Sequence, residues 1–270
     1  MNNVDQVFNK VLLARHIRRP NALKLINFLF TDFIELQGDR LSGDDKSIIC
    51  GIGLLNNIPV TIIAQQKGTT TEEKIYHNFG MSNPEGYRKA LRIMKQAEKF
   101  NRPIISIIDT PGAYPGVGAE QRGQANAIAN NLKEMVGLEV PIISIVLGEG
   151  GSGGALGIGV SDQIWMFENS IYSILSPEGF ASILYKDASR AKEASVVMKL
   201  TSEDLYSFGI IDMIIPEVEG GLHLNPNFSF SIIKEKLVTT INELKKIDKK
   251  ELIKKRYMKY RRTGTYEEYW

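Results

Sequence analysis

The chain has 270 residues, enough for one large domain or two small ones, and its 43% hydrophobic and 24% charged residues are the balance of a globular protein. A net charge of +2 excludes binding to nucleic acid through the overall field, and a single cysteine, Cys50, excludes an internal disulfide and a cysteine-based zinc site. No apolar run approaches the ~18 residues of a membrane span, and the first residues lack a signal-peptide pattern, so the expected setting is cytoplasmic.

Residues 4–36 read as two helical segments. Val7, Val11 and Ala14 share one face, and Leu25, Phe28, Leu29, Asp32 and Phe33 share another. Arg18-Arg19-Pro20 breaks them, and Asn21 is a helix cap. Residues 35–45 are polar and irregular. Residues 47–55 and 58–65 are apolar, β-branched runs joined by Asn56-Asn57, and asparagine tolerates the positive φ of a two-residue hairpin. A polar loop follows at 67–73, and the stretch to Gly80 has no clear period and reads as mobile. A helix starts at Pro84, capped by Ser82 or Asn83, with Glu85 at the positive end of its dipole. Tyr87, Ala90, Leu91, Met94 and Ala97 form its apolar face.

Residues 104–108 form a buried strand that runs into Asp109-Thr-Pro-Gly-Ala-Tyr-Pro-Gly-Val-Gly118. Two prolines and three glycines in ten residues make a shaped loop, not a linker. The next helix turns Ala125, Ile128, Ala129, Leu132 and Met135 inward and ends at Gly137. The apolar strand 140–147 then feeds Gly148-Glu-Gly-Gly-Ser-Gly-Gly154, with five glycines in seven residues, and a small-residue segment that reads as a short buried helix. From 84 to 160 helices and all-apolar strands alternate, which predicts a parallel sheet. Ligands of such sheets bind at the carboxyl ends of strands. Both glycine loops leave such ends, and they converge if the two strands are neighbours.

Further short strands are expected at 163–167, 171–175 and 210–215. Helices are expected from Ser176-Pro177-Glu178, over 188–200 with Ala191, Ala194 and Met198 inward, from Thr201 to Gly209, and over about 229–246. Residues 245–262 carry ten Lys/Arg against Asp248 and Glu251 and read as a solvated basic helix. The organisation is an N-terminal helical segment at 1–46, a core at 47–228 and a C-terminal helical, basic tail at 229–270, together one domain.

The 148–154 stretch suits negative charge, because a helix start presents unpaired backbone N–H groups and glycine allows close approach. Three motifs overlap in it. Gly148-x-Gly150-x-x-Gly153 fits a dinucleotide fingerprint, and Glu168 lies about 20 residues on. Against this, the segment before Ile164 has room for only about two helical turns. Gly150-x-Ser152-x-Gly154 fits a nucleophile elbow. Of the three histidines, His16, His77 and His223, only His223 follows the serine, with Asp204 or Asp212 between. It stands in a loop without other support. Paired glycines at a helix start also fit an oxyanion hole. Asp109 reads as a loop organiser that bonds backbone N–H groups. Glycine amides without an evident base suit a reaction whose substrates bring their own base, the protein holding a developing oxyanion.

Several runs, in order across nearly the whole chain, carry a resemblance. They are Leu13-Ala-Arg-His16 with Arg19-Pro20, Gln66-Lys-Gly68, Asn78-Phe-Gly-Met81, Pro84-Glu-Gly-Tyr-Arg-Lys-Ala90, the 109–120 loop, Gly148 to Leu156, Ser176-Pro-Glu-Gly179 with Ala181-Ser-Ile-Leu184, and Lys255-Arg-Tyr257. The chain resembles the alpha-subunit family of the bacterial acetyl-coenzyme A carboxylase carboxyltransferase, with Phe180 standing where a small residue is usual. The resemblance implies an α/β, crotonase-like fold, a spiral of β-β-α units with N-terminal and C-terminal helices. It implies an α2β2 heterotetramer with a separate zinc-ribbon beta subunit. That complex moves a carboxyl group from carboxybiotin, borne on a biotin carboxyl carrier protein, to acetyl-CoA. The product, malonyl-CoA, feeds fatty-acid synthesis. ATP is used by the partner biotin carboxylase, and no metal is expected in this chain. By the resemblance, backbone amides of Gly153 and Gly154 hold the biotin oxyanion. Gly150, Gly151, Gly112 and Ala113 border the substrate, the last two as the opposite wall, and the beta subunit holds the acetyl-CoA enolate.

Overall fold

The computed structural model describes residues 3–264. Helices α1 (Asn3–Ala14) and α2 (Ala22–Leu29) open the chain, and the Asn21 side chain caps α2 by accepting the Lys24 N–H at 3.1 Å. The second helix does not continue through Asp32 and Phe33. Residues Thr31–Glu35 form strand β1, which pairs antiparallel with β2 (Ile48–Leu55) across a register shift. Asp32, at φ +52°, sits in that irregularity. Strand pairing with β2 outweighs the helical period here. The β2–β3 (Ile58–Gln65) hairpin is as expected, with Asn56 and Asn57 at φ +45° and +64°.

The 67–80 stretch is ordered rather than aperiodic. It forms α3 (Thr71–Tyr76), nucleated by a reciprocal capping box between Thr70 and Glu73, and then a short 3-10 turn. After α4 (Pro84–Lys99) come β4 (Ile104–Thr110), α5 (Val117–Gln121), α6 (Gln124–Gly137) and β5 (Ile142–Gly151). The Pro84 helix starts at Asn83 without a side-chain cap, and Ile93 rather than the half-buried Leu91 completes its buried face. On α6 the buried residues are Gln124, Ala127, Asn131 and Met135, while Ala125 and Ala129 are exposed. The helix is rotated because two amides satisfy open carbonyls. Gln124 donates to the Ser82 and Tyr114 carbonyls at 2.8 and 3.0 Å, and Asn131 to those of Tyr87 and Gly157 at 3.0 and 2.8 Å.

The chain then runs through α7 (Ser152–Leu156), β6 (Gln163–Phe167), β7 (Ile171–Ser173), α8 (Pro177–Leu184), α9 (Ala191–Val197), α10 (Ser202–Ser207), β8 (Met213–Ile215), α11 (Pro226–Leu244) and α12 (Lys249–Arg261). One sheet has the order β1-β2-β3-β4-β5-β6-β8, with β7 added beside the far end of β5. Every pairing from β3 onward is parallel, as the alternation predicts. Alternate residues bury opposite faces. Ile105, Ile107, Ile143, Ile145 and Trp165 pack toward α2 and α11, while Ile104, Ile108, Ile142, Val146 and Met166 pack toward α4 and α6. The basic C-terminal helix is docked rather than solvated. Leu252 and Arg256 on α12 are buried, and Arg256 donates to the carbonyls of Met135, Leu138 and Val140 and to both oxygens of Asp162.

Candidate active site

Strands β4 and β5 lie side by side in parallel, in register from Ile104 with Ile142 to Ile108 with Val146, and the register then shifts so that Thr110 pairs with Gly150. Both glycine segments therefore leave the same edge of the sheet and meet. A Cβ on Gly154 would stand 2.5 Å from the Gly112 carbonyl carbon and 2.6 Å from the Ala113 nitrogen, and one on Gly151 would collide with the Pro111 carbonyl. Backbone thus packs directly on backbone, which only glycine permits. Gly153 differs, since a Cβ there would meet only the Ile128 side chain at 3.6 Å. A Cβ on Gly112 would meet nothing within 4 Å. The structure brings Gly112, Ala113, Gly151 and Gly154 into contact and leaves Gly153 half-buried and uncrowded.

Much of the glycine run is strand. β5 continues through Gly151, because Glu149, Gly150 and Gly151 pair with Ile171, Tyr172 and Ser173 of β7. The helix that follows has only five residues and no side-chain cap, so its first amides lack intrahelical partners. The chain after it turns back on the sheet. Ser106 donates to the Ile158 carbonyl at 2.6 Å and Ser144 to that of Gly159 at 3.2 Å. The Gly154 carbonyl accepts from Gln65 Nε2 at 2.7 Å and from the Tyr87 hydroxyl at 3.4 Å. Strands β3, β4 and β5 and helices α4 and α6 all grip this one short helix from behind.

Beside the glycines lies an open cleft of about 290 Å³, lined by Arg15, His16, Lys67, Lys74, Phe79, Asp109, Pro111 and Glu149 among others. Lys67 Nζ bridges Asp109 Oδ1 at 2.9 Å and Glu149 Oε2 at 2.6 Å. Arg15 joins Glu149 at 2.7 Å to Glu178 at 2.7 Å. Burial works against the charge of Lys67, but Asp109 and Glu149 outweigh it and hold the ammonium pKa above its ordinary value. Burial likewise disfavours the Glu149 carboxylate, and Lys67 with Arg15 outweighs that and holds its pKa below the usual range. Asp109 organises the loop as expected, accepting the Glu149 N–H at 3.0 Å.

The elbow and dinucleotide readings fail on geometry. Ser152, exposed at φ +49° at the junction of β5 and α7, has the placement of an elbow serine, but it makes no hydrogen bond to a histidine among the described residues. His223 is instead stacked on His16, with ring centroids 3.9 Å apart. Asp204 caps α10 with Thr201, and Asp212 accepts the Ile164 N–H and pairs with Lys259. Glu168 accepts the Glu217 N–H at 2.9 Å, a structural bond between strand ends. Among the described residues no group of three or more His, Cys, Asp or Glu could hold a metal ion, and no helix is long and apolar enough to cross a membrane. Sequence reasoning assigned no site role to Gln65, Lys67 or Arg15, and placed Tyr87 only on the apolar face of its helix. The available signal was the polar triplet Gln65-Gln66-Lys67 at the carboxyl end of an otherwise apolar strand.

A profile described as acetyl co-enzyme A carboxylase carboxyltransferase-like matches residues 2–264. The acetyl-coenzyme A carboxylase carboxyl transferase subunit alpha of Clostridium botulinum (strain Eklund 17B / Type B) is 59% identical over 264 residues, covering 98% of this chain and 96% of that one. The corresponding alpha subunit of Bacillus cereus (strain G9842) is 58% identical over 96% of this chain and 80% of its own. In Clostridium tetani a chain named subunits beta/alpha is 57% identical over 99% of this chain and 46% of its own length. Among solved structures, transcarboxylase 12S superposes with a TM-score of 0.65 at 17% identity, over 94% of this chain and 45% of that chain. A Pseudomonas malonate decarboxylase hetero-dimer superposes with a TM-score of 0.62 at 16% identity, over 74% of this chain and 82% of that one. Those two likenesses show the shared fold, crotonase-like as the resemblance implied. By the extent of the profile match and the identity to full-length relatives, the chain belongs to the acetyl-coenzyme A carboxylase carboxyltransferase family.

Proposed function

We propose that this chain acts as the alpha subunit of an acetyl-CoA carboxylase carboxyltransferase. With a beta subunit it transfers the carboxyl group of carboxybiotin, presented on a carrier protein, to acetyl-CoA, and the product is malonyl-CoA. The observation that carries this reading is the uncapped first turn of α7, where Gly154 is pinned on Gly112–Ala113 while Gly153 is half-buried and faces only the Ile128 side chain. The relative in which beta and alpha form one chain supports a beta partner held close by. We place the pair in an α2β2 assembly.

Carboxybiotin is a substrate in trans, and it supplies both the carboxyl group and, once that group has left, the base for the acetyl methyl. This chain's part is to hold negative charge. The N–H groups of Gly153 and Gly154 donate to the ureido oxygen as charge develops on it. Such donors act without reorganisation when their backbone is already fixed. Gly153 is half-buried, and its lack of a side chain lets a planar ring approach the amide edge closely. Gly112 and Ala113 form the facing wall, and Gly150 and Gly151 border the approach. Ser152 is a spacer, exposed and without a base, rather than a nucleophile. The enolate of acetyl-CoA is held by the beta subunit.

The test is reconstitution. The chain is co-purified with a beta subunit, and biocytin-dependent decarboxylation of malonyl-CoA is assayed. A well-formed complex without activity would refute the reading. Gly153→Pro removes one donor at a first-turn position, where proline breaks no helical hydrogen bond. Turnover should fall on the order of 10²–10³-fold with assembly intact. Near-normal rates would remove Gly153 from the assigned role.

A further inference from the structure

We propose that Gln65 is a positioning residue for the reaction, holding Gly154 and the start of the 109–118 loop in one fixed relation. The proposal rests on the carboxyltransferase reading above. Gln65 is the last residue of β3 and is fully buried. A buried primary amide is costly unless its groups are paired. Its Nε2 donates to the Gly154 carbonyl at 2.7 Å, and its Oε1 accepts the Asp109 N–H at 3.2 Å. The partners fix which end is which, because a carbonyl only accepts and a backbone N–H only donates.

The two partners belong to opposite walls of the site. Gly154 sits in the first turn of α7, and Asp109 is the penultimate residue of β4, just before the loop that carries Gly112 and Ala113. Gln65 bridges them with one rigid amide. Gly154 has no side chain by which the core can grip it, and glycine is the most conformationally free residue. The tyrosine hydroxyl at 3.4 Å is a long second contact to the same carbonyl. The Gln65 bond at 2.7 Å is therefore the main restraint on the Gly154–Ala155 peptide, and with it on the direction in which the preceding amide points. Gln65 stands behind the helix and acts only through Gly154. A donor array serves a developing charge only if it is aimed beforehand, so a loosened Gly154 costs rate rather than ground-state affinity.

Two variants test this in the complex with a beta subunit, using malonyl-CoA and biocytin, with assembly followed by size-exclusion chromatography. Gln65→Leu keeps the bulk and removes both bonds. Its kcat should fall on the order of 10²-fold, the cost of a misplacement of about 1 Å, with KM for malonyl-CoA within about twofold of wild type. Gln65→Glu separates positioning from packing. As a carboxylate it still accepts from Asp109 but faces the Gly154 carbonyl with no proton to donate. Protonated, it restores both bonds, and burial moves that protonation toward neutrality. The kcat of Gln65→Glu, relative to wild type, should rise as pH is lowered from about 8 to about 6, while that of Gln65→Leu stays low throughout. An assembled Gln65→Leu complex with kcat within twofold of wild type would overturn the proposal. So would a Gln65→Glu profile parallel to wild type, which decides the matter even if the leucine variant does not assemble. An inactive wild-type complex would instead sink the carboxyltransferase reading itself.

Discussion

At Gly154 a methyl group would be driven into the backbone of Gly112 and Ala113, whereas at Gly153, one residue earlier, it would make ordinary contact with Ile128. Neighbouring glycines therefore do different things. Gly154→Ala should destabilise the protein by about 1–3 kcal/mol, as overpacking against an unyielding neighbour does. Gly153→Ala should leave the unfolding midpoint unchanged or slightly raised, because alanine is the better helix former. Urea or thermal unfolding of the two variants checks the difference, and equal losses at both positions would contradict the packing described. The glycine run was legible in the sequence because so many glycines at the end of an apolar strand have few uses. Which glycine was closed and which open was not legible, since it depends on how β4 lies against β5.

The ends of β3, β4 and β5 are tied by Lys67, Asp109 and Glu149, and these ties set a pH dependence. The Glu149 pKa is depressed in the fold, so its contribution is complete above the usual glutamate range and is lost as pH falls through the lower folded value. The Lys67 pKa is raised, so its contribution is complete below the ordinary lysine value and is lost only as pH rises beyond it. The cluster thus stabilises fully across neutrality. Glu149→Gln should cost about 1–3 kcal/mol at pH 7, and the gap from wild type should close as pH falls from the usual glutamate range through the depressed Glu149 value. Melting temperatures across that range measure it, and a gap that persists in acid would exclude the carboxylate as its source. At this scale the strands and their parallel order were readable, because alternate apolar residues and short connections constrain them. On helix α6 Ile128, Leu132 and Met135 pack inward as read, but Ala125 and Ala129 do not, because Gln124 and Asn131 look like surface residues until the open carbonyls of Ser82, Tyr87 and Gly157 are known. Helix α3 was missed for the opposite reason. It has no buried residue, so its order comes from the Thr70–Glu73 capping box rather than from an apolar period.

Across the whole molecule, helices cover both faces of one sheet, and the basic C-terminal helix closes it through a single buried cation. Arg256 is 1% exposed, yet it bonds four backbone carbonyls and a carboxylate. Charge counting along residues 245–262 suggested a solvated face. It could not distinguish the one arginine that turns inward from the lysines around it. Arg256→Met should destabilise the fold by about 3–5 kcal/mol, because Asp162 would remain buried without its partner. Denaturant unfolding tests this, and a loss under about 1 kcal/mol would mean the pair is dispensable. The arrangement also bears on the order of events at the ribosome. Arg256 reaches its carbonyl at Val140 across 116 residues of chain, so β5, with its glycines, is synthesised on the order of ten seconds before the side chain that completes its start and the turn beyond it. Until then four carbonyls and Asp162 must be served by water. The strand that carries the candidate site is thus made midway through the chain and is among the last parts of the sheet to be sealed, and chaperone contact during synthesis would fall in that interval.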